Sequence, residues 1–199
     1  MAAPLILASA SPARRRLLER AGITPRVTPA GIDEDMIMDS MRADNASVET
    51  VVGALAEAKA RKVSARNPES LVIGADQIAE LQGKPFGKPA DRQEARAQLH
   101  ALSGQTHHLC VSVTVAKDGE AIWNHFDSAA MTMRPLSHHA IDRYLERSYD
   151  RAKHSCGCYM IEEDGVRLFR DIQGDFFTIQ GMPLLKLIDF LIARGTVTP

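Results

Sequence analysis

Leu5-Ile6-Leu7-Ala8-Ser9-Ala10-Ser11-Pro12-Ala13-Arg14-Arg15-Arg16-Leu17-Leu18 passes without a linker from a continuous apolar run to a helix start. A run of Leu5 to Ala8 with no alternation predicts a strand covered on both faces. Ser11 followed by Pro12 is an N-cap and first helical residue, Leu17 and Leu18 supply a buried face, and Gly22 ends the helix. Working outward, Val48 to Val63 predicts a long helix whose stripe runs through Val51, Val52, Leu55, Ala58 and Lys62. Leu71 to Ala75 reads as a second buried strand, ending at Gly74-Ala75-Asp76, and Gln82 to Pro89 as a turn-rich loop. Asp91 to Leu102 is helical, and Leu109 to Ala116 with Glu120 to Met131 form a hairpin turning at Asp118-Gly119. Ser137 caps a helix to about Arg147, strand-like pieces lie between Cys158 and Ile172, and Met182 to Ala193 is a closing helix. Strands and helices alternate throughout, which predicts an α/β fold with a mixed sheet: one domain over residues 1–199, built as two lobes with a cleft.

Composition narrows the function classes. At 45% hydrophobic and 25% charged the chain has the make-up of an ordinary soluble globular protein. A formal net charge of −1 argues against a dedicated nucleic-acid binder, so any anionic ligand must be met by local positive charge. Three cysteines, Cys110, Cys156 and Cys158, make no disulfide framework and fit a reducing compartment. The N-terminal apolar run lacks a basic lead and reads as a strand rather than a signal peptide, and no run approaches the ~18 to 20 apolar residues of a membrane span. The expectation is a soluble cytoplasmic protein with no membrane partner.

Several residues could carry chemistry. A strand feeding a helix N-terminus offers unpaired N–H groups and a positive dipole end, and Ser9, Ser11, Arg14 and Arg15 would add donors for phosphate oxygens. The competing reading is a capped surface helix with solvated arginines. Asp76, at the carboxyl end of a strand, stands where α/β sheets place ligands, although a turn or cap explains an isolated Asp equally well. Asp33-Glu34 is an acidic pair in a loop. Lys59 lies beside an apolar stripe, where a snorkelling lysine is the ordinary explanation. Lys88, between Gly87 and Pro89, sits in a rigid loop that could aim an ammonium or leave it solvated.

Together these features match a known pattern. Ser-x-Ser-Pro-x-Arg-Arg-x-Leu-Leu over Ser9 to Leu18 resembles the opening signature of the Maf nucleotide pyrophosphatases. Asp33-Glu34, Ala58-Lys59-Ala60, Gly74-Ala75-Asp76, Gly87-Lys88-Pro89, Leu102-Ser103-Gly104 and Gly181-Met182-Pro183-Leu184 follow in the same order, so the resemblance runs from Leu5 to about Leu191. It implies an elongated α/β fold like that of inosine-triphosphate pyrophosphatases, with the active site in the cleft. It further implies hydrolysis of a nucleoside triphosphate to the monophosphate and pyrophosphate, a Mg²⁺ or Mn²⁺ cofactor and a homodimer. By the same resemblance Ser9, Arg14, Arg15, Lys59 and Lys88 hold the triphosphate. Glu34 and Asp76 place the metal, with Asp76 orienting the attacking water.

The family has a dTTP/UTP branch and a 7-methyl-GTP branch. Ala13 between Pro12 and the arginine pair, Gln77 after Asp76, and Glu162 in Tyr159-Met160-Ile161-Glu162 lean to the second, because a carboxylate can accept from a guanine-like N1–H and amino edge. Gly174-Asp175-Phe176-Phe177-Thr178 resembles the pyrimidine branch and leans the other way. His154-Ser155-Cys156-Gly157-Cys158 lacks the second ligand pair of a zinc site, and its cysteines are expected in a strand and its lead-in. His107-His108 and His138-His139 are expected on the surface or in loops. The competing functions are a non-catalytic nucleotide sensor of cell division, which has no need of metal-binding carboxylates, and a nucleotidyltransferase, which releases pyrophosphate only with an acceptor present.

Overall fold

The structure, a computed structural model, describes residues 3–43 and 46–199. Met1 and Ala2, ahead of the predicted first strand, lie outside the described residues. The elements run β1 (Leu5–Leu7), α1 (Pro12–Arg20), β2 (Arg26–Val27), α2 (Glu34–Ala43), α3 (Val48–Ser64), β3 (Leu71–Leu81) and β4 (Lys84–Phe86). They continue with α4 (Arg92–Leu102), β5 (Thr106–Lys117), β6 (Glu120–Met133), α5 (His138–Ala152), β7 (Phe169–Gln173), α6 (Phe176–Ile179) and α7 (Leu184–Ala193). The strands form one mixed sheet ordered β2-β1-β3-β5-β6-β7, with β4 paired to β3 off that path. β1 pairs in parallel with β2 and with β3, whereas β3 with β4 and β6 with β7 are antiparallel, so the fold is mixed α/β as its alternation predicts.

The chain divides into two compact units. Unit 1 comprises 1–76, 111–127 and 181–199, and unit 2 comprises 77–110 and 128–180. In unit 1, β1 meets β3 with Leu5 opposite Leu71 and Leu7 opposite Ile73, and both strands are buried runs, as parallel strands under helices must be. Hairpin β5–β6 turns at Asp118 and Gly119, whose φ values of 51° and 84° are the left-handed pair that a two-residue turn requires. In unit 2 the core gathers Leu99, Leu102, Met131, Met133, Ile141, Leu145 and Phe169.

Four expectations change. β3 does not stop near Asp76 but continues to Leu81, because Ile78 and Ala79 remain buried and the following residues pair with β4. The predicted loop at Gln82 to Pro89 therefore contains a strand. Between Cys158 and Ile172 most of the chain is turn and 3-10 helix, the latter at Cys156–Cys158 and Asp164–Leu168, with only β7 extended. The cysteines accordingly sit in a buried 3-10 turn rather than a strand, and burial pushes the Cys158 thiol up to about 11, which keeps it protonated and unreactive. Finally, His107 is no surface residue. It is fully buried in β5, where its Nε2 lies 2.7 Å from the Tyr159 hydroxyl and its ring packs edge-on to Tyr159.

Burial, reinforced by the neighbouring His108, pushes the His107 imidazole down to about 4. Between pH 6.5 and pH 4 the unfolded chain thus binds the proton that the folded chain refuses, so stability falls as the pH drops through that window. The shift corresponds to up to roughly 3 kcal/mol. We expect His107→Gln, which can still bond Tyr159, to flatten the loss of unfolding free energy between pH 7 and pH 4, measured by urea denaturation at each pH. A variant with the same pH slope as the parent would remove His107 from that role.

Candidate active site

The first half of the site is made by the turn from β1 into α1. Ser11 caps the helix, accepting from the Arg14 amide at 3.4 Å, and the Ser9 hydroxyl accepts from the Ser11 amide at 3.2 Å. Pro12 opens the helix at no hydrogen-bonding cost. Arg14 then turns inward and is buried. Its Nη1 donates to the Ala75 carbonyl at 2.8 Å and to Ser9 Oγ at 3.2 Å, and its Nε donates to the Gly181 carbonyl at 2.9 Å. One guanidinium thus ties three chain segments together around the residue before Asp76. Arg15 turns outward, and its Nε donates to Glu19 one turn later at 2.6 Å on an exposed face.

The second half comes from α2, α3 and β3. Gly74 lets β3 lie against α3, since a Cβ there would collide with the Ala56 carbonyl and stand 2.6 Å from the Ala60 nitrogen. That approach brings Lys59, on the buried face of α3, to Asp76 on β3 with Nζ–Oδ1 at 2.5 Å. The helix stripe is rotated from the expected one: Ala56, Lys59, Ala60 and Val63 are buried, while Ala58 and Lys62 are only partly so. Lys59 is only 7% exposed, so it does not snorkel to solvent, because a carboxylate awaits its ammonium inside. Glu34 is not in a loop but is the first residue of α2, whose start is held by Asp33 accepting from the Met36 amide at 3.0 Å. Glu34 Oε1 lies 2.8 Å from the same Lys59 Nζ. Lys62 secures the approach to α2 by donating to the Gly31 carbonyl at 2.6 Å.

Unit 1 therefore brings together Ser9, Arg14, Glu34, Lys59 and Asp76. The other expected residues belong to unit 2, described by itself. Lys88 is exposed in the loop between β4 and α4, and Glu162 is exposed between the two 3-10 helices. Gln77 is half-buried, and its Nε2 donates to the Ile179 carbonyl of α6 at 3.0 Å. α6 is itself capped by Asp175, which accepts from the Phe177 and Thr178 amides at 2.9 Å each. Sequence reading missed helix α2, although Asp33 followed by Glu34-Asp35 is an N-terminal signal. It also missed the carbonyls of Ala75 and Gly181 as partners of Arg14, for which backbone atoms leave no sequence signal.

Because its carbonyl partners are buried, Arg14→Met leaves them unsatisfied and should lower the unfolding free energy by about 2 kcal/mol or more. Arg15→Met, which loses only an exposed pair, should change it by less than about 1 kcal/mol. Chemical denaturation of both variants checks the contrast, and equal effects would contradict it.

A family profile described as Maf-like protein matches residues 4–194. A protein named nucleoside triphosphate pyrophosphatase from Paramagnetospirillum magneticum is 46% identical over 98% of this chain and 100% of its own length. One of the same name from Caulobacter vibrioides is 44% identical over 98% of each chain. A protein named 7-methyl-GTP pyrophosphatase from Rhizobium etli is 46% identical over 99% of each chain. With its opening signature, its Glu34–Lys59–Asp76 constellation and this full-length similarity, the chain belongs to the Maf family.

Proposed function

We propose that this protein is a nucleoside triphosphate pyrophosphatase, hydrolysing the α–β phosphoanhydride of its substrate to a nucleoside monophosphate and pyrophosphate. The observation that carries the reading is the meeting of two carboxylates on one ammonium in unit 1, with Glu34 and Asp76 each placing an oxygen within 3 Å of Lys59 Nζ. A purely structural lysine needs one buried partner, whereas a second carboxylate held beside the first suits a hard divalent cation. Mg²⁺ or Mn²⁺ fits that donor set, because carboxylate oxygens are its preferred ligands and the remaining positions are readily filled by water. When bound there, the cation would supply neutralisation of phosphate charge and acidification of water.

In this reading Asp76 orients the attacking water and takes its proton. The water oxygen bonds to the α-phosphorus as the bond to the β-phosphate oxygen breaks, and the electron pair leaves with pyrophosphate. Lys59 and the positive dipole end of α1, with Ser9 beside it, meet the charge that builds on the leaving group. Arg14 holds the Ala75 carbonyl next to Asp76 and so shapes the phosphate site, while Arg15 and Lys88 are assigned to the triphosphate by resemblance. Gln77 and Glu162 are assigned to the base. A lean to 7-methyl-GTP rests on Ala13, Gln77 and Glu162, and the name of the Rhizobium etli relative is in keeping with it. No helix among the described residues is long and apolar enough to cross a membrane, and with its free thiols the protein is assigned to the cytoplasm.

Pyrophosphate release should be measured with Mg²⁺ or Mn²⁺ on dTTP, UTP, CTP, GTP and 7-methyl-GTP. Turnover of at least one is expected, with Asp76→Asn slower by about 10²-fold or more and nucleotide binding retained. Normal turnover in that variant would strip Asp76 of its role, and binding without turnover across the panel would favour a sensor. In the same assay Glu162→Gln should shift preference toward UTP and dTTP, since an amide can serve the mixed edge of a pyrimidine. An unchanged profile would take Glu162 out of base recognition.

A further inference from the structure

The ammonium of Lys59 stands 2.8 Å from Glu34 Oε1 and 2.5 Å from Asp76 Oδ1. These are the two carboxylates that the proposed function assigns to the divalent cation, and the inference rests on that reading. Two of the three N–H donors of Lys59 are thereby committed to the oxygens a cation would need. A divalent ion approaching them meets a positive charge already held between them, and both cannot share the same oxygens at full strength. We propose that Lys59 is an exchangeable counter-ion: without nucleotide its ammonium neutralises Glu34 and Asp76, and its transfer to the triphosphate opens those carboxylates to the cation.

Three features make the exchange feasible. The ammonium is a compact charge on a flexible four-carbon stem, so it can change partners while α3 stays in place. Glu34 has a side chain 44% exposed against 11% for Asp76, so the pair is open to solvent on the Glu34 side. The bare carboxylate pair is costly, because removing the ammonium between them leaves the buried negative charge on Asp76 without the cation that now meets it. Some cation must therefore replace Lys59 when it leaves, and a triphosphate is the anion that draws it away. Nucleotide and divalent cation then bind cooperatively through one side chain, beyond any contact they make with each other, and by linkage each raises the affinity of the other equally.

The test reads metal affinity and needs no turnover. Mn²⁺ binding to the full chain is followed by electron paramagnetic resonance of the free ion. The proteins compared are wild type, Lys59→Met, Lys59→Gln and the control Arg61→Gln, which removes a cation paired instead with Glu57 and Glu120. Without nucleotide, both Lys59 variants should bind Mn²⁺ at least about fivefold more tightly than wild type, with the control within about twofold. α,β-Methylene GTP or UTP, corrected for its own Mn²⁺ binding, should raise wild-type affinity by about 5- to 150-fold and raise that of the Lys59 variants by clearly less. Lys59→Gln retains a donor for Asp76, so it carries the test if Lys59→Met does not fold, circular dichroism being the check. Folded Lys59 variants that bind Mn²⁺ no more tightly than wild type, or not at all, overturn the proposal. If wild type still hydrolyses nucleotides in that case, only the exchange falls; if wild type neither hydrolyses nor binds them, the pyrophosphatase reading falls as well.

Discussion

A buried ammonium is tolerable only when its charge is met, and the arrangement of unit 1 follows from how Lys59 meets it. Its 2.5 Å contact with Asp76 needs β3 and α3 closer together than any side chain at position 74 permits, which accounts for Gly74. Its 2.8 Å contact with Glu34 needs α2 to begin where it does, with Asp33 holding the helix start and Lys62 holding Gly31 ahead of it. Removing Lys59 would leave the buried carboxylate of Asp76 without the ammonium that meets it, a larger loss than the net worth of the pair. The same feature that makes the cluster demanding in the folded state suits the phosphate chemistry proposed for it, because charges held away from water act more strongly on a bound anion.

Arg14 performs a different task with similar economy. A guanidinium presents its donors in a fixed plane, and here that plane is spent on the Ala75 and Gly181 carbonyls and on Ser9. The β1–α1 turn, the middle of β3 and the lead-in to α7 are thus held to one another by a group that cannot lose its charge. Such a tie sets where Asp76 stands relative to the start of α1, the placement that the proposed chemistry would depend on.

Asp76 ends the first segment of unit 1 and Gln77 opens unit 2, so β3 carries the chain directly from proposed chemistry to proposed recognition. Side chains alternate faces along a strand, so neighbours in sequence serve different surroundings. Gln77 donates to Ile179 in the helix that Asp175 caps, which links the two segments whose family leanings disagree.

The sequence by itself determined the alternation of strands and helices, the Ser11-Pro12 helix start, the Asp118-Gly119 turn and the family motifs, because each is a local pattern of burial, capping or backbone freedom. It also marked Glu34, Lys59 and Asp76 as chemically interesting, yet each had a bland explanation as loop acid, snorkelling lysine or strand-end turn former. Those explanations fail only in three dimensions. Lys59 is buried because Asp76 and Glu34, from β3 and α2, converge on it, and no local pattern encodes a charge met by a residue 17 or 25 positions away. β3 outran its apolar run because β4 paired with its second half, and His107 left the surface because Tyr159 offered it a partner in the core. Local physics sets where elements begin and end, whereas the fate of a polar side chain depends on what the fold brings to meet it.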